Sequence, residues 1–259
     1  VSLKGRIKFT LAGNHPLLGL VRNHFISRGL ALVPWDEDPD FCLIGAEITN
    51  EVNPPLAQLE LQKMQVSDKP VLLLSTTDPV LAEEDVREAA FLGIHPSASA
   101  ILRSTCIYAI AAEHLFWNRE GFTTIVRPFN VYGPDITWGL IHETIISSKR
   151  NEPLTNPRRL GASTSFIHQD DFLKAVDLLL AKRAHGVFNV GSGEAVTYIN
   201  LLRNIWKFVN GADTEPEILQ PYTEVFAEWE VPRIIKLHKT IGWAPKTSLR
   251  SGLFKMVQE

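Results

Sequence analysis

Short apolar runs of strand length recur along this chain, and segments of helical periodicity lie between them. Arg6–Ala12 (RIKFTLA) is the first such run, closed by Gly13. Leu17, Leu18, Val21, Phe25 and Ile26 then repeat at helical spacing, Gly29 ends that stretch, and Leu30–Trp35 (LALVPW) reads as a second strand. Strand, glycine turn, helix and strand open a βαβ unit. Further strands are expected at Phe41–Ala46 (FCLIGA), Pro70–Ser75 (PVLLLS), Phe122–Arg127 (FTTIVR), Phe166–His168 and Gly186–Val190. Helices are expected from Pro54 and Pro55 to about Val66, over 81–92, 98–118, near 136–150, and over 170–183 and 197–210. Two short ones follow around 233–240 and 247–258, after an irregular stretch at 211–232. PVLLLS is apolar almost throughout, as strands covered on both faces of a parallel sheet are. The alternation predicts an α/β fold with a mostly parallel sheet and helices on both faces.

Composition narrows the function classes. The chain has 259 residues, 45% of them hydrophobic and 21% charged, which excludes disorder, coiled coil and collagen-like repeats. The 26 basic residues stand against 29 acidic ones, so no basic excess points to nucleic acid or an anionic membrane. No run of about 18 apolar residues predicts a membrane span, and VSLKGRIKFTLAG lacks a signal-peptide cleavage pattern. Cys42 and Cys106 lie far apart without His at metal spacing, and both read as buried thiols in a reducing, cytoplasmic setting. No metal site is expected.

Four segments carry a resemblance. RPFNVYGP at 127–134, FIHQDDFLKAV at 166–176, VFNVGSGEAVTYINLLRNI at 187–205 and IGWAPKTSLRSGL at 241–253 are similar, in order and spacing, to motifs of one family. That family is the extended short-chain dehydrogenase/reductase superfamily, and within it the NAD-dependent sugar-nucleotide epimerases and dehydratases. The resemblance covers residues 120–258 and implies a Rossmann-like sheet with a small C-terminal substrate lobe. The implied division is a nucleotide-binding domain at 1–134, rejoined by 165–195, and a substrate-binding lobe at 135–164 and 196–259. Relatives place a helix, a strand and another helix where only Glu37–Asp40 separate Asp36 from FCLIGA. The third-strand unit is therefore expected to be missing, since a parallel crossover needs about a dozen residues or more.

The cofactor side departs from the family pattern. The family's GxxGxxG turn is represented by Gly13 and Gly19, with Pro16 at the central position. A glycine there lets the backbone approach a pyrophosphate above a helix N-terminus. Proline adds a ring and removes the N–H, although it suits a first helical turn. Asp36 follows Gly13 by 23 residues, where an acid would hold the adenosine ribose and favour NAD over NADP. It reads equally as one turn acid in a run with Glu37, Asp38 and Asp40. The resemblance thus implies NAD, while these replacements leave its loss open.

Catalysis in the family rests on a Ser/Thr and a Tyr-x-x-x-Lys pair, whose ammonium helps bring the phenol pKa down from about 10. The Tyr position here is Thr105 and the Lys position is Ala109, while Thr77 keeps a hydroxyl at the Ser/Thr position. An aliphatic hydroxyl cannot stand in for the phenol. His15, His95, His168 and Asp78 are the alternative proton-transfer groups, each also readable as packed or exposed structure.

On the substrate side, Asn130 matches an Asn that holds the nucleotide-sugar in relatives, and it equally suits a strand-end turn. The relatives' diphosphate-binding Arg is replaced by Thr164, with Arg158, Arg159 and Arg233 as substitute phosphate partners or solvated charges. Ser192 and Gly193 are expected to shape a turn, and Trp243 and Pro245 to hold the C-terminal lobe. Two functions remain open. One is a binder of a nucleotide or nucleotide-sugar without the Tyr/Lys hydride-transfer chemistry; the other is an active epimerase, dehydratase or reductase with a replacement acid/base. The resemblance also implies a homodimer through the helices near 81–92 and 98–118, and the second is more apolar than one buried face requires.

Overall fold

Phe41–Ala46 and Val71–Leu74 carry an apolar side chain or glycine at every position, so neither face of either strand suits water. Both lie inside a parallel sheet with every residue buried. The computed structural model describes residues 7–46, 68–76, 100–155, 160–219 and 229–258, apart from the side chains of Asn14, 100–108 and 229–230. The expected helices at 55–66 and 81–92 lie outside the described residues.

The first half runs β1 (Lys8–Asn14), α1 (Leu18–Ser27), β2 (Ala31–Leu32), β3 (Phe41–Ala46), β4 (Val71–Leu74), α2 (Ala100–Trp117), β5 (Thr123–Pro128) and β6 (Val131–Tyr132). The second half runs α3 (Leu140–Lys149), β7 (Leu154–Thr155), β8 (Ser163–Thr164), β9 (Ile167–His168), α4 (Gln169–Ala181), β10 (Gly186–Val190) and β11 (Val196–Thr197). It ends with α5 (Tyr198–Asn210), β12 (Ile218–Leu219), β13 (Trp229–Glu230), α6 (Ile235–Ile241) and α7 (Leu249–Gln258).

The main sheet has the order β10-β5-β4-β3-β1-β2, with all neighbours parallel. Alternate side chains point to opposite faces. Phe9, Leu43, Leu72, Leu74 and Val126 meet α1 through Val21 and Phe25, and α4 through Phe172 and Val176. Cys42, Ile44, Leu73 and Ile125 meet α2 through Ala112 and Phe116 on the other face. Phe9, Phe25 and Phe41 form a ring cluster with centroids 5.4–5.7 Å apart. Such pairs add about 0.5–1.5 kcal/mol each beyond burial. Burial also pushes the Cys42 thiol up to about 11, which leaves it protonated and inert.

The edge beyond β1 explains how the third-strand unit can be absent. β2 pairs only at Lys8↔Ala31 and Phe9↔Leu32, and β3 begins at Phe9↔Phe41. The end of β2 is thus level with the start of β3, so residues 33–40 need only pass beneath β1 and not return along its length. The expected strand Leu30–Trp35 is accordingly shorter. Val33 still donates to Phe9 O at 2.9 Å, but Pro34 has no N–H, and Trp35–Glu37 coil into a 3₁₀ turn. That turn is pinned at the sheet's N-terminal end by Lys8 N–H on Asp40 Oδ2 (2.7 Å), Lys8 Nζ on Glu37 O (3.1 Å) and Lys69 Nζ on Asp38 Oδ1 (2.6 Å).

Past β5 the chain builds a second apolar cluster from Tyr132, Ile141, Ile145, Phe166, Leu201, Ile205 and Leu253. Short strands knit it together as β11-β8-β13, β12-β7 and β6-β9. The stretch expected to be irregular at 211–232 contributes β12 and β13, and the helix expected near 136–150 begins only after Gly139 at φ +84°. Asp171 ties this part to α4, its Oδ2 accepting the N–H groups of Lys246 (3.0 Å) and Thr247 (2.7 Å). Among the described residues no helix is long and apolar enough to cross a membrane, and no three His, Cys, Asp or Glu side chains gather as a metal set.

Two glycines of the first turn differ sharply in what they permit. Gly13 has φ +70°, and a Cβ there would run into the carbonyl oxygen of Gly45 on β3, whereas a Cβ at Gly19 meets nothing within 4 Å. Gly13→Ala is therefore expected to destabilise by about 2–4 kcal/mol. Gly19→Ala is expected to be neutral or stabilising by up to about 1 kcal/mol. Urea unfolding of the two variants checks the contrast, and equal losses would contradict it.

Candidate functional site

In an open parallel sheet, ligands meet the carboxyl ends of the strands where strand order reverses. Here that place lies between β1 and β3, whose ends are Asn14 and Ala46. The chain leaves β1 through Gly13 and passes His15 and Pro16 into α1. Pro16 offers no N–H. The Leu17 N–H donates to Nδ1 of His15 at 3.0 Å, and the Leu18 N–H to His15 O at 2.9 Å. The other ring nitrogen, Nε2, lies 3.1 Å from Ser75 O. Since Nδ1 accepts, the proton sits on Nε2, which donates to that carbonyl.

Ser75 follows β4, and β3 lies between β4 and β1. The imidazole therefore reaches across the end of β3, over two strand spacings or about 10 Å from β1 to β4. His15 is 6% exposed. Burial lowers its pKa to about 4, against the smaller raising effect of the Ser75 hydrogen bond, so it is neutral at physiological pH. Ser75 itself is buried, and its hydroxyl has no hydrogen-bond partner among the described residues. The strand periodicity that located β4 carried no sign of this hydroxyl.

Thr105 and Ala109, expected at the positions of the family's catalytic pair, both fall in α2. Thr105 belongs to it by its backbone, and Ala109, one turn later, is fully buried. No ammonium stands at position 109. One further turn on, Glu113 meets Arg127 of β5 in a buried two-pronged ion pair, Nε to Oε1 at 3.0 Å and Nη2 to Oε2 at 2.7 Å. Removing one partner of such a pair typically costs about 3–5 kcal/mol. This pair fixes α2 against the sheet close to where β5 ends. Tyr132 offers no substitute phenol: burial, then the Asp171 and Glu194 carboxylates, push its pKa up. Thr77, Asp78 and His95 lie outside the described residues.

A polar corner forms where β5, β8 and β10 end. Asn130 is exposed and holds φ +41°, which few residues but Asn adopt readily. Its Nδ2 donates to Thr164 Oγ1 at 2.7 Å and to Ser165 O at 3.0 Å. Both amide hydrogens are thus engaged in holding the turn. Ser165 and Ser192 share a hydroxyl–hydroxyl bond of 2.8 Å, and Ser192 Oγ also accepts from the Glu194 N–H at 3.2 Å. Arg233 is exposed and follows the segment in which Glu230 pairs with Thr164 and Pro232 closes over Gly191. The structure therefore brings Asn130, Thr164, Ser192 and Arg233 to one end of the sheet; Arg158 and Arg159 lie outside the described residues.

His168 is buried, with Nδ1 accepting the Asp170 N–H at 3.3 Å as α4 begins. Trp243 is buried, and its carbonyl lies 3.1 Å from His238 Nδ1. Asp36 is exposed in the 3₁₀ turn at the N-terminal end of the sheet. Its expected contact with an adenosine ribose is corrected by that placement, since five residues of β1, about 16 Å, separate Phe9 from the turn side at Asn14.

These features meet known proteins at two levels. The model of the NAD dependent epimerase/dehydratase family matches residues 103–191. UDP-glucuronic acid decarboxylase 2 of Arabidopsis thaliana is 30% identical over 139 residues, covering 52% of this chain and 31% of the decarboxylase. The match thus spans about a third of that relative's length. The fold resembles dTDP-glucose 4,6-dehydratase from Bacillus anthracis, solved with NAD, at TM-score 0.76, 16% identity and coverage of 97% and 96%. It resembles MoeE5, solved with UDP-glucose and NAD, at TM-score 0.74, 16% identity and coverage of 98% of both chains. Residues 103–191 thus resemble the NAD dependent epimerase/dehydratase family, and the fold is shared with solved members of that kind.

The His15 site has a consequence for stability. The unfolded ring titrates near 6.5 and the folded one near 4, so between these values the unfolded chain binds the extra proton. Stability is then present above about pH 6.5 and is lost as pH falls toward 4, by about 2–4 kcal/mol in all. Urea unfolding between about pH 4.5 and 7.5 should show this slope in the wild type and a reduced one in His15→Asn. Parallel slopes would contradict the assignment.

Proposed function

We propose that this chain binds a nucleotide or nucleotide-sugar at the corner formed by Asn130, Thr164, Ser165 and Ser192, without the family's Tyr/Lys hydride-transfer chemistry. One observation carries the reading: the helix position that should hold the ammonium is Ala109, fully buried. The phenol position is Thr105, and no described group replaces the pair. His15 is neutral with both ring nitrogens hydrogen-bonded, and the Tyr132 phenol is pushed further from ionisation. In relatives NAD supplies hydride transfer; here the chain's own residues supply hydrogen-bond donors and acceptors at the corner.

The assignment divides the chain into a nucleotide-fold part at 1–134 with 165–195, and a ligand lobe at 135–164 and 196–259. Asn130 offers its Oδ1 and Arg233 its guanidinium, with Arg158 and Arg159 as further phosphate partners and Thr77 as the residual hydroxyl of the old centre. The protein is in this reading a pseudoenzyme of the cytoplasm. Isothermal titration without NAD is expected to show saturable binding of UDP-glucuronic acid, UDP-glucose or dTDP-glucose. Asn130→Ala should weaken it by about 1 kcal/mol, roughly fivefold. With NAD or NADPH and these sugars together, chromatography and NMR of the sugar nucleotides should show them unchanged; an epimerised, dehydrated, decarboxylated or reduced product would restore the alternative of an active epimerase, dehydratase or reductase.

Homodimerisation through α2 and the 81–92 segment belongs to the same proposal. In the described part of α2, Ala111 and Trp117 are exposed and Ile110 and Leu115 only partly covered, an apolar strip on a helix that already buries Ala112 and Phe116. Sedimentation velocity at micromolar concentration should give a dimer, and a monomer alone would contradict it.

A further inference from the structure

Helix N-termini in parallel α/β sheets carry N–H groups without helical partners, which is why anions settle on them. A dinucleotide crossing between β1 and β3 needs those groups, room above the strand ends, and a partner for its adenosine ribose on the far side of β1. Each requirement meets an obstacle on a different element. Pro16 has no N–H, and those of Leu17 and Leu18 already have acceptors in His15 Nδ1 and His15 O. The space above β3 holds the imidazole, anchored at its far side on Ser75 O. The ribose side has no strand end beside it, because β2 stops level with Phe9 and carries the acidic turn to the opposite end of the sheet. The residues present do not fit a dinucleotide in that crossing.

We infer that this chain carries its own occupant of the dinucleotide crossing: the His15 imidazole bridges the start of α1 and the end of β4, and closes the crevice to NAD and NADP. A neutral imidazole suits that place because it supplies one acceptor and one donor at opposite edges of a rigid ring. The N–H that a phosphate would satisfy is satisfied from within, so the fold is complete at this point without a cofactor. The inference rests on the epimerase-like reading of the fold, and it extends the proposed function: any nucleotide-sugar at the Asn130 corner is bound alone.

The test is an NMR titration of the full chain with NAD and then NADP, following the Leu17, Leu18 and Gly19 amides and the His15 ring. At millimolar dinucleotide these signals are expected to stay in place, with the ring in its Nε2–H form at about pH 6–8. Saturable shifts there, or a ring protonated on Nδ1, overturn the inference. In His15→Ala, hydrogen exchange at Leu17 should quicken by about tenfold or more, since the amide loses its acceptor. Unchanged exchange would also overturn it. Should that variant fail to fold, the wild-type tautomer and titration decide alone. UDP-glucose added to the same sample separates the two ideas: silence at Asn130, Thr164 and Ser192 removes the proposed ligand site and leaves the His15 result standing.

Discussion

A single neutral imidazole connects the first helix of this protein to the middle of its sheet. Through Nδ1 it receives the Leu17 N–H as α1 begins, and through Nε2 it donates to the carbonyl of Ser75 beyond the end of β4. Keeping that ring uncharged is a condition of burying it, because an imidazolium would have no acceptor for a second proton at the Leu17 side. Burial lowers its pKa to about 4, which secures the neutral form. What the rest of the carboxyl edge can do follows from this: a crevice whose polar ends are already joined has little left to offer a phosphate.

The opposite end of the sheet is trimmed in a way that agrees with it. β2 makes only two residue pairs with β1, so its end meets the level at which β3 starts, and one short turn replaces a whole strand–helix unit. Lys8 and Lys69 hold that turn through Asp40, Glu37 and Asp38. Asn130, Ser165 and Ser192 are joined by hydrogen bonds, and Asp171 fastens the C-terminal segment to α4.

Much of the fold was legible because burial on both faces leaves a plain mark. PVLLLS and Gly186–Val190 sit where their apolar runs placed them, and α1 ends at Ser27, just before Gly29. LALVPW misled at its second half: Pro34 cannot donate to a ladder, and with pairing ended there, Asp36 fell to the wrong end of the sheet for a ribose. The count from Gly13 to Asp36 assumes a strand running the full height of its neighbour, and sequence spacing cannot reveal that it stops early. The turn at Asn130 was readable because asparagine adopts a positive φ more readily than most residues. His15 was visible as a histidine in a glycine turn, but its reach over β3 to Ser75 joins residues 60 apart in the chain, which no periodicity records. Thr105 and Ala109 both fall in α2, where the apolar spacing placed a helix.

The central claim concerns what occupies the crevice, and native mass spectrometry of the purified full chain tests it most directly. After incubation with excess NAD and NADP, the account predicts the mass of the bare polypeptide, as monomer or dimer, with no dinucleotide retained. A stoichiometric adduct of NAD or NADP that denaturation releases would contradict it.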